Sequence, residues 1–65
     1  MPKNVVEFAD VKCKASTDKA CLCDIDGEEV WIPLSQIDED SEVWDYEDEG
    51  TLVITRWIAE QRGLV

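Results

Sequence analysis

Three cysteines, Cys13, Cys21 and Cys23, and a run of carboxylates from Asp38 to Glu49 are the side chains here whose types and spacing bear on chemistry. A structural zinc ion takes four Cys or His ligands, and the sequence offers three Cys and no His. Side chains alternate along a strand, so Cys21 and Cys23 fall on one face, where small thiols are expected as buried apolar groups. An odd cysteine count without secretory context also points to reduced thiols rather than a disulfide framework. In the acidic run, Asp38, Asp40, Glu42 and Glu49 stand at positions 1, 3, 5 and 12 of a twelve-residue count, as calcium ligands do in an EF-hand loop. The sharp turn of such a loop needs Gly at its sixth position, which here is Val43, and no helix is expected before Asp38. Catalysis would fall to carboxylates in a stretch that has to stay solvated, with no glycine-rich phosphate loop or serine elbow to assist. No metal, cofactor or enzymatic activity is expected.

Charge is the larger signal. Of the 16 acidic side chains, twelve lie between Ala20 and Thr55, a segment with no Lys, Arg or His; each flank sums to +1 and the chain to −10. Asp38, Glu39, Asp40, Glu42, Asp45, Glu47, Asp48 and Glu49 place eight carboxylates in twelve positions, and Asp24, Asp26, Glu28 and Glu29 supply the other four. Such density opposes compaction by self-repulsion, so a folded domain that keeps it is expected to use its field on a basic partner. Nucleic acid and anionic membranes would be repelled rather than bound. A rigid acidic surface can instead occupy a groove built for DNA. Duplex DNA presents one charge per ~1.7 Å of axis, while same-face carboxylates repeat every ~6.6 Å along a strand and every ~4.8 Å across strands. Trp44 and Tyr46, set among the carboxylates, would add apolar contacts that select the partner.

The elements that position these groups follow from pattern. The 65 residues are expected to form a single acidic α+β domain, 1–65, near the lower size limit for one core; Val, Ile, Leu and Phe number seventeen and argue against disorder. No signal-peptide-like or membrane-length apolar run is present, and a soluble cytoplasmic protein is expected. Residues 4 to 15 alternate in two phases, Val6 and Phe8, then Val11, Cys13 and Ala15, with a bulge or bend expected near Ala9 and Asp10. Ser16 to Lys19 reads as a turn into a strand from Ala20 to Ile25. Asp26-Gly27 supplies a tight hairpin turn, and Glu28 to Pro33 returns. A two-residue loop sets Cys23 opposite Val30 and Cys21 opposite Ile32 on one face, and Leu22 opposite Trp31 on the other; a three-residue loop would shift the register by one. Pro33 ends the ladder, and Leu34-Ser35-Gln36 reads as a turn or 3₁₀ segment. The acidic loop is expected to hold a short edge strand around Val43, Trp44 and Tyr46, followed by a strand from Thr51 to Ile54. Thr55 reads as the N-cap of a helix over Arg56 to Arg62, with Gly63 as its C′ residue and with Trp57 and Ile58 packed on the sheet. Trp31 and Trp57 are expected in the core. The thirteen-residue spacing of Trp31, Trp44 and Trp57, with Glu-Val-Trp occurring at 29–31 and 42–44, is too thin to make a repeat.

A short, acid-rich chain without a catalytic set, its charge concentrated from Asp24 to Glu49, resembles the small inhibitors encoded by phages and mobile elements, especially anti-CRISPR proteins that act as DNA mimics. The resemblance is one of type, in size and charge, and has no motif to carry over. It implies binding to a CRISPR surveillance complex, or another basic nucleic-acid-binding protein, at the surface that inspects target DNA. The stretch from Lys19 to Ile37, with Asp26-Gly27 at its turn and Trp31-Ile32-Pro33 at its end, is also similar to a hairpin in small orphan domains of prokaryotic and phage proteins. Those domains are barrel-like or α+β, which implies scaffold rather than site. The expected fold is therefore α+β, a small antiparallel sheet of three or four strands with a short C-terminal helix packed on it, and an SH3-like barrel as the alternative. The expected binding surface comprises Asp24, Asp26, Glu28, Glu29, Asp38, Glu39, Asp40, Glu42, Trp44, Asp45, Tyr46, Glu47, Asp48 and Glu49. The alternative function is an acidic adaptor or assembly module recognised through Trp44, Tyr46 and nearby apolar surface.

Overall fold

A computed structural model describes residues 4–65 and has an α+β fold, a four-stranded antiparallel sheet followed by one short helix. The strands are β1 (Val5–Ser16), β2 (Ala20–Ile25), β3 (Glu28–Pro33) and β4 (Glu49–Thr55), in the order β3-β2-β1-β4. The helix α1 spans Arg56–Gln61.

β1 keeps apolar side chains on the core side through a change of phase because it is bulged. Phe8 pairs with Leu52 and Val11 with Gly50, so Ala9 and Asp10 together oppose Thr51. Asp10 takes the left-handed conformation there, with φ 57, which Asp tolerates better than most residues. The bulge expected at Ala9 and Asp10 is thus present. A second one was not legible: Cys13 pairs with Cys23 and Ala15 with Leu22, which leaves Lys14 as the extra residue. The expected phase Val11, Cys13, Ala15 is therefore broken after Cys13, and Ala15 joins Leu22 on the outer face.

The β2–β3 hairpin has the two-residue turn, with φ 52 at Asp26 and φ 84 at Gly27. Its register is Cys23↔Val30, Leu22↔Trp31 and Cys21↔Ile32. Cys21, Cys23 and Ile32 are fully buried with Cys13, Val11, Leu52 and Ile54, and these form the centre of one core. A 3₁₀ turn at Leu34–Gln36 then redirects the chain, and Ile37 makes a β-bridge to Ile54 on the free side of β4. The chain leaving one edge of the sheet thereby reaches the other edge and curls the sheet partway into a barrel.

Two expectations are corrected. Val43, Trp44 and Tyr46 form no edge strand; the chain between Ile37 and Glu49 is a loop with Val43 fully buried as its anchor. Its residues hydrogen-bond along β4 irregularly, through side chains as well as backbone, so no ladder forms. Trp31 and Trp57 are not core residues, being 45 % and 57 % exposed. On a helix of 6 residues only a narrow stripe can face the sheet, and Ile58 with Ala59 fills it. Thr55 caps the helix as expected, its hydroxyl accepting from the Ile58 N–H at 3.2 Å. Gly63 follows with φ 70. Among the described residues no helix is long and apolar enough to cross a membrane.

Candidate protein interface: the acidic loop and the sheet face

The acidic loop is fixed to the barrel along its whole length. At its start the Asp38 N–H donates to Val53 O at 2.8 Å. Ser41, buried at 8 % exposure, accepts from the Val43 and Val53 N–H groups and donates to Val43 O, each at 3.2 Å. Glu42 binds Thr51 twice: its N–H donates to Thr51 O at 2.9 Å, and its Oε1 accepts from the Thr51 N–H at 2.8 Å. That carboxylate lies over Gly50, where an added Cβ would come within 2.7 Å of Oε1. The loop then crosses to β1, with the Cys13 N–H donating to Asp48 O at 2.8 Å and the Glu47 N–H donating to Cys13 O at 3.1 Å.

Within this frame Trp44 to Asp48 make a closed turn. Asp48 Oδ2 accepts from the N–H groups of Trp44 and Asp45 at 3.0 and 2.9 Å. Asp45 Oδ1 accepts from the Ser16 hydroxyl at 2.7 Å and from the Tyr46 N–H at 2.8 Å. The Ser16 bond first, and the Tyr46 N–H second, hold the Asp45 carboxyl below the usual carboxylate range. Trp44 is tied by its indole N–H to Ser41 O at 2.8 Å and is 37 % exposed, while Tyr46 is 59 % exposed. Glu47 stands at φ 73, left-handed and exposed, and among the described residues its side chain has no bond.

The β2–β3 hairpin contributes a second acidic surface. Its tip carries Asp26 and Glu28, both exposed. Behind it the register lines up Glu29, Asp24, Lys12 and Glu49 as one cross-strand row over all four strands. Neighbours in that row are ~4.8 Å apart, so Lys12 stands between Asp24 and Glu49, with Glu29 beyond Asp24. The Lys14 ammonium adds a second cation, 3.9 Å from Asp24 Oδ2. Among the described residues, Asp24 Oδ1 is shielded and has no donor.

Geometry thus sorts the fourteen expected site residues. Glu42, Asp45 and Asp48 are engaged in building the loop, and Asp38 Oδ2 likewise accepts from the Asp40 N–H at 3.0 Å. Glu39 and Asp40 are exposed on the same turn. Asp26, Glu28, Glu29, Glu47 and Glu49 are exposed carboxylates that, among the described residues, make no side-chain bond to the loop. Sequence reasoning missed Ser16, Ser41 and Thr51, which hold the loop in place; isolated hydroxyl residues inside and beside an acidic run carry no pattern that reveals it. It also missed Lys12 and Lys14 as cations set among the carboxylates, since they lie outside the acidic segment and reach it only through strand pairing.

The three thiols occupy one place in the core. Cys21 Sγ lies 3.3 Å from Cys23 Sγ, and Cys13 Sγ donates to Ala15 O at 3.1 Å. Sharing a proton with Cys23, together with burial, pushes the Cys21 thiol up. Burial first, then the neighbouring Cys21, pushes Cys13 up. All three are free and buried, and among the described residues no cluster of His, Cys, Asp and Glu is arranged to hold a metal ion. Comparison with protein-family models, curated proteins and solved structures gives no match.

Proposed function

We propose that this chain is a non-enzymatic inhibitor that docks its acidic loop and hairpin on the basic nucleic-acid-binding surface of a host defence complex, in the manner of anti-CRISPR DNA mimics, and keeps target DNA out. The observation that carries this reading is Glu47. A left-handed residue without Gly's freedom costs about 1–3 kcal/mol, and Glu47 at φ 73 offsets none of that with a side-chain bond. A carboxylate kept where Gly or Asn would fit better supports a role for it outside the chain.

Two further features support the reading. The loop's backbone is hydrogen-bonded to β1 and β4 before any partner arrives, so little ordering cost remains to weaken binding. The molecule measures 32 × 21 × 19 Å, and its long axis approaches one helical turn of duplex DNA, ~34–36 Å. The partner in this reading is a basic protein or complex, with a CRISPR surveillance complex as one such target; direct nucleic-acid or membrane binding is not part of it, and the compartment is the bacterial cytoplasm.

The test reverses the carboxylates that the loop does not need: Asp26→Lys, Glu28→Lys, Glu47→Lys and Glu49→Lys together. Binding to the basic target should be lost while the melting curve shows a folded protein. A folded quadruple variant that still binds and inhibits would sink the mimicry reading. A second reading, an acidic adaptor, is favoured by one observation, the exposed and pre-set pair Trp44 and Tyr46. For an adaptor, Trp44→Ala would abolish binding and the quadruple reversal would only weaken it.

A further inference from the structure

Three thiols meet in the core, a grouping that the proposed interface leaves without a role. Cys13, Cys21 and Cys23 are fully buried, and Cys13 pairs with Cys23 across β1 and β2 with both side chains turned inward. The kind of pair follows from the backbone. The Cys13 N–H donates to Asp48 O at 2.8 Å and its carbonyl accepts from the Glu47 N–H at 3.1 Å, so both groups face the loop and neither faces β2. On the hairpin, the Trp31 carbonyl accepts from Arg62 Nε at 3.0 Å and so faces away from its partner Leu22. Hydrogen-bonded pairs alternate along an antiparallel ladder, so the backbone groups of Cys23, one position on, face Val30 rather than β1. Cys13↔Cys23 is therefore a non-hydrogen-bonded pair, in which facing Cα atoms stand closest, about 4.5 Å apart. A disulfide spans Cα atoms roughly 4.4–6.8 Å apart, so this pair lies within reach of one. Cys13 Sγ now donates to Ala15 O at 3.1 Å, and a turn about its Cα–Cβ bond redirects it. Cys21 and Cys23 differ. Their sulfurs are 3.3 Å apart, but successive same-face residues of one strand set their Cα atoms about 6.6 Å apart with Cα–Cβ bonds side by side. Such bonds do not bring the Cβ atoms to the ~3.5–4.5 Å that a disulfide needs.

We propose that Cys13 and Cys23 are a redox pair, which a peroxide oxidises to a cross-strand disulfide while Cys21 stays a thiol, and that the bond clamps the acidic loop through Cys13. Peroxide converts one thiol to a sulfenic acid and releases water; the second sulfur attacks the sulfenic sulfur, the S–S bond forms, the S–O bond breaks and a second water leaves. Two thiols thus give two electrons and two protons to one peroxide molecule. The link ties β2 to the residue whose N–H and carbonyl hold Asp48 and Glu47, so the hairpin and the loop become one cross-linked unit. Because the thiols are buried, peroxide reaches them through openings of the native state, and oxidation is slow. The inference is independent of what the acidic surface binds.

Treatment of the whole chain with hydrogen peroxide, in native buffer and in parallel in urea, tests this. Remaining thiols are alkylated with iodoacetamide as the chain is unfolded, and the product is mapped by proteolysis and fragmentation mass spectrometry. The native sample should lose two hydrogen atoms in mass, carry a Cys13–Cys23 link and be alkylated at Cys21 alone, whereas the urea sample should give a mixture of links. The cross-link closes a loop of about ten residues and should raise the melting midpoint by about 10 °C. Amide hydrogen exchange at Cys13 and Glu47, whose N–H groups join β1 to the loop, should slow in the oxidised protein. Three thiols that all remain alkylatable under peroxide that oxidises the urea sample would overturn the inference. So would a native link between another pair, oxygen atoms added in place of hydrogen atoms lost, or an oxidised protein that melts no higher than the reduced one. A correct link and higher melting with unchanged exchange at Cys13 and Glu47 would overturn the clamping of the loop.

Discussion

Ser41 and Glu47 show two opposite uses of a single residue in the same loop. The Ser41 hydroxyl is buried and fully bonded, and it satisfies two backbone N–H groups that would otherwise be stranded in the core. Glu47 is exposed and left-handed, and among the described residues its carboxylate has no hydrogen-bond partner. Glu47→Gly should therefore stabilise the fold by about 1 kcal/mol in urea melts, and it should weaken partner binding; a variant no more stable than the parent would show that the conformation costs nothing. The thiols set a pH dependence of definite sign. Cys13 and Cys21 are pushed up in the folded chain, while unfolding returns them to the ordinary range near ~8.5. The folded state then holds protons that the unfolded chain loses, so this stability is intact below that range and declines as pH rises above it. The urea midpoint should fall between about pH 7 and about pH 10, less so in a Cys13→Ala, Cys21→Ala variant compared with its own value near neutrality. Burial of the thiols was readable from strand alternation; their mutual approach was not, because it depends on the pairing of Cys13 with Cys23 across strands.

At the scale of elements, both sheet edges are guarded by different means. The free side of β4 is occupied by Ile37, Asp38, Ser41 and Glu42, which satisfy Thr51 and Val53. The free side of β3 carries the charge of Glu29, the missing N–H of Pro33 and the Arg62 bond to Trp31 O. Such an arrangement discourages edge-to-edge aggregation without a closed barrel. The helix α1 is too short to persist alone and depends on its cap and its buried stripe. Thr55→Ala should cost about 1 kcal/mol and Ile58→Ala about 2–5 kcal/mol, whereas Trp57→Ala should change the urea midpoint little; a large loss from Trp57→Ala would contradict its exposed placement. The hairpin and its register were legible because Asp26-Gly27 fixes the turn and the alternation fixes the faces. The helix start was legible from Thr55. What stayed hidden depends on distant partners: the Lys14 bulge, the loop that replaces an edge strand, and the outward placement of Trp31 and Trp57, which hydrophobicity alone assigns to the core.

At the scale of the whole molecule, a small core carries a net charge of −10, and the fold deals with that charge by using some carboxylates as internal acceptors and leaving others exposed on the loop and hairpin. Glu42, Asp45 and Asp48 fix the loop backbone, and the loop holds Glu47 and Glu49 outward. The acidic run was plain in the sequence, but its division into builders and exposed groups was not, because the builders are distinguished only by backbone N–H groups and hydroxyls brought to them by folding. In the proposed function the exposed carboxylates compete with DNA for one basic surface. The measurement that tests it most directly is affinity capture of partners from bacterial lysate on the immobilised protein, followed by elution with duplex DNA and, separately, with salt. Mimicry predicts a nucleic-acid-binding complex that duplex DNA displaces and whose affinity falls steeply with salt, because both ligands act through the same charges. A partner retained in the presence of excess DNA and indifferent to salt would contradict it.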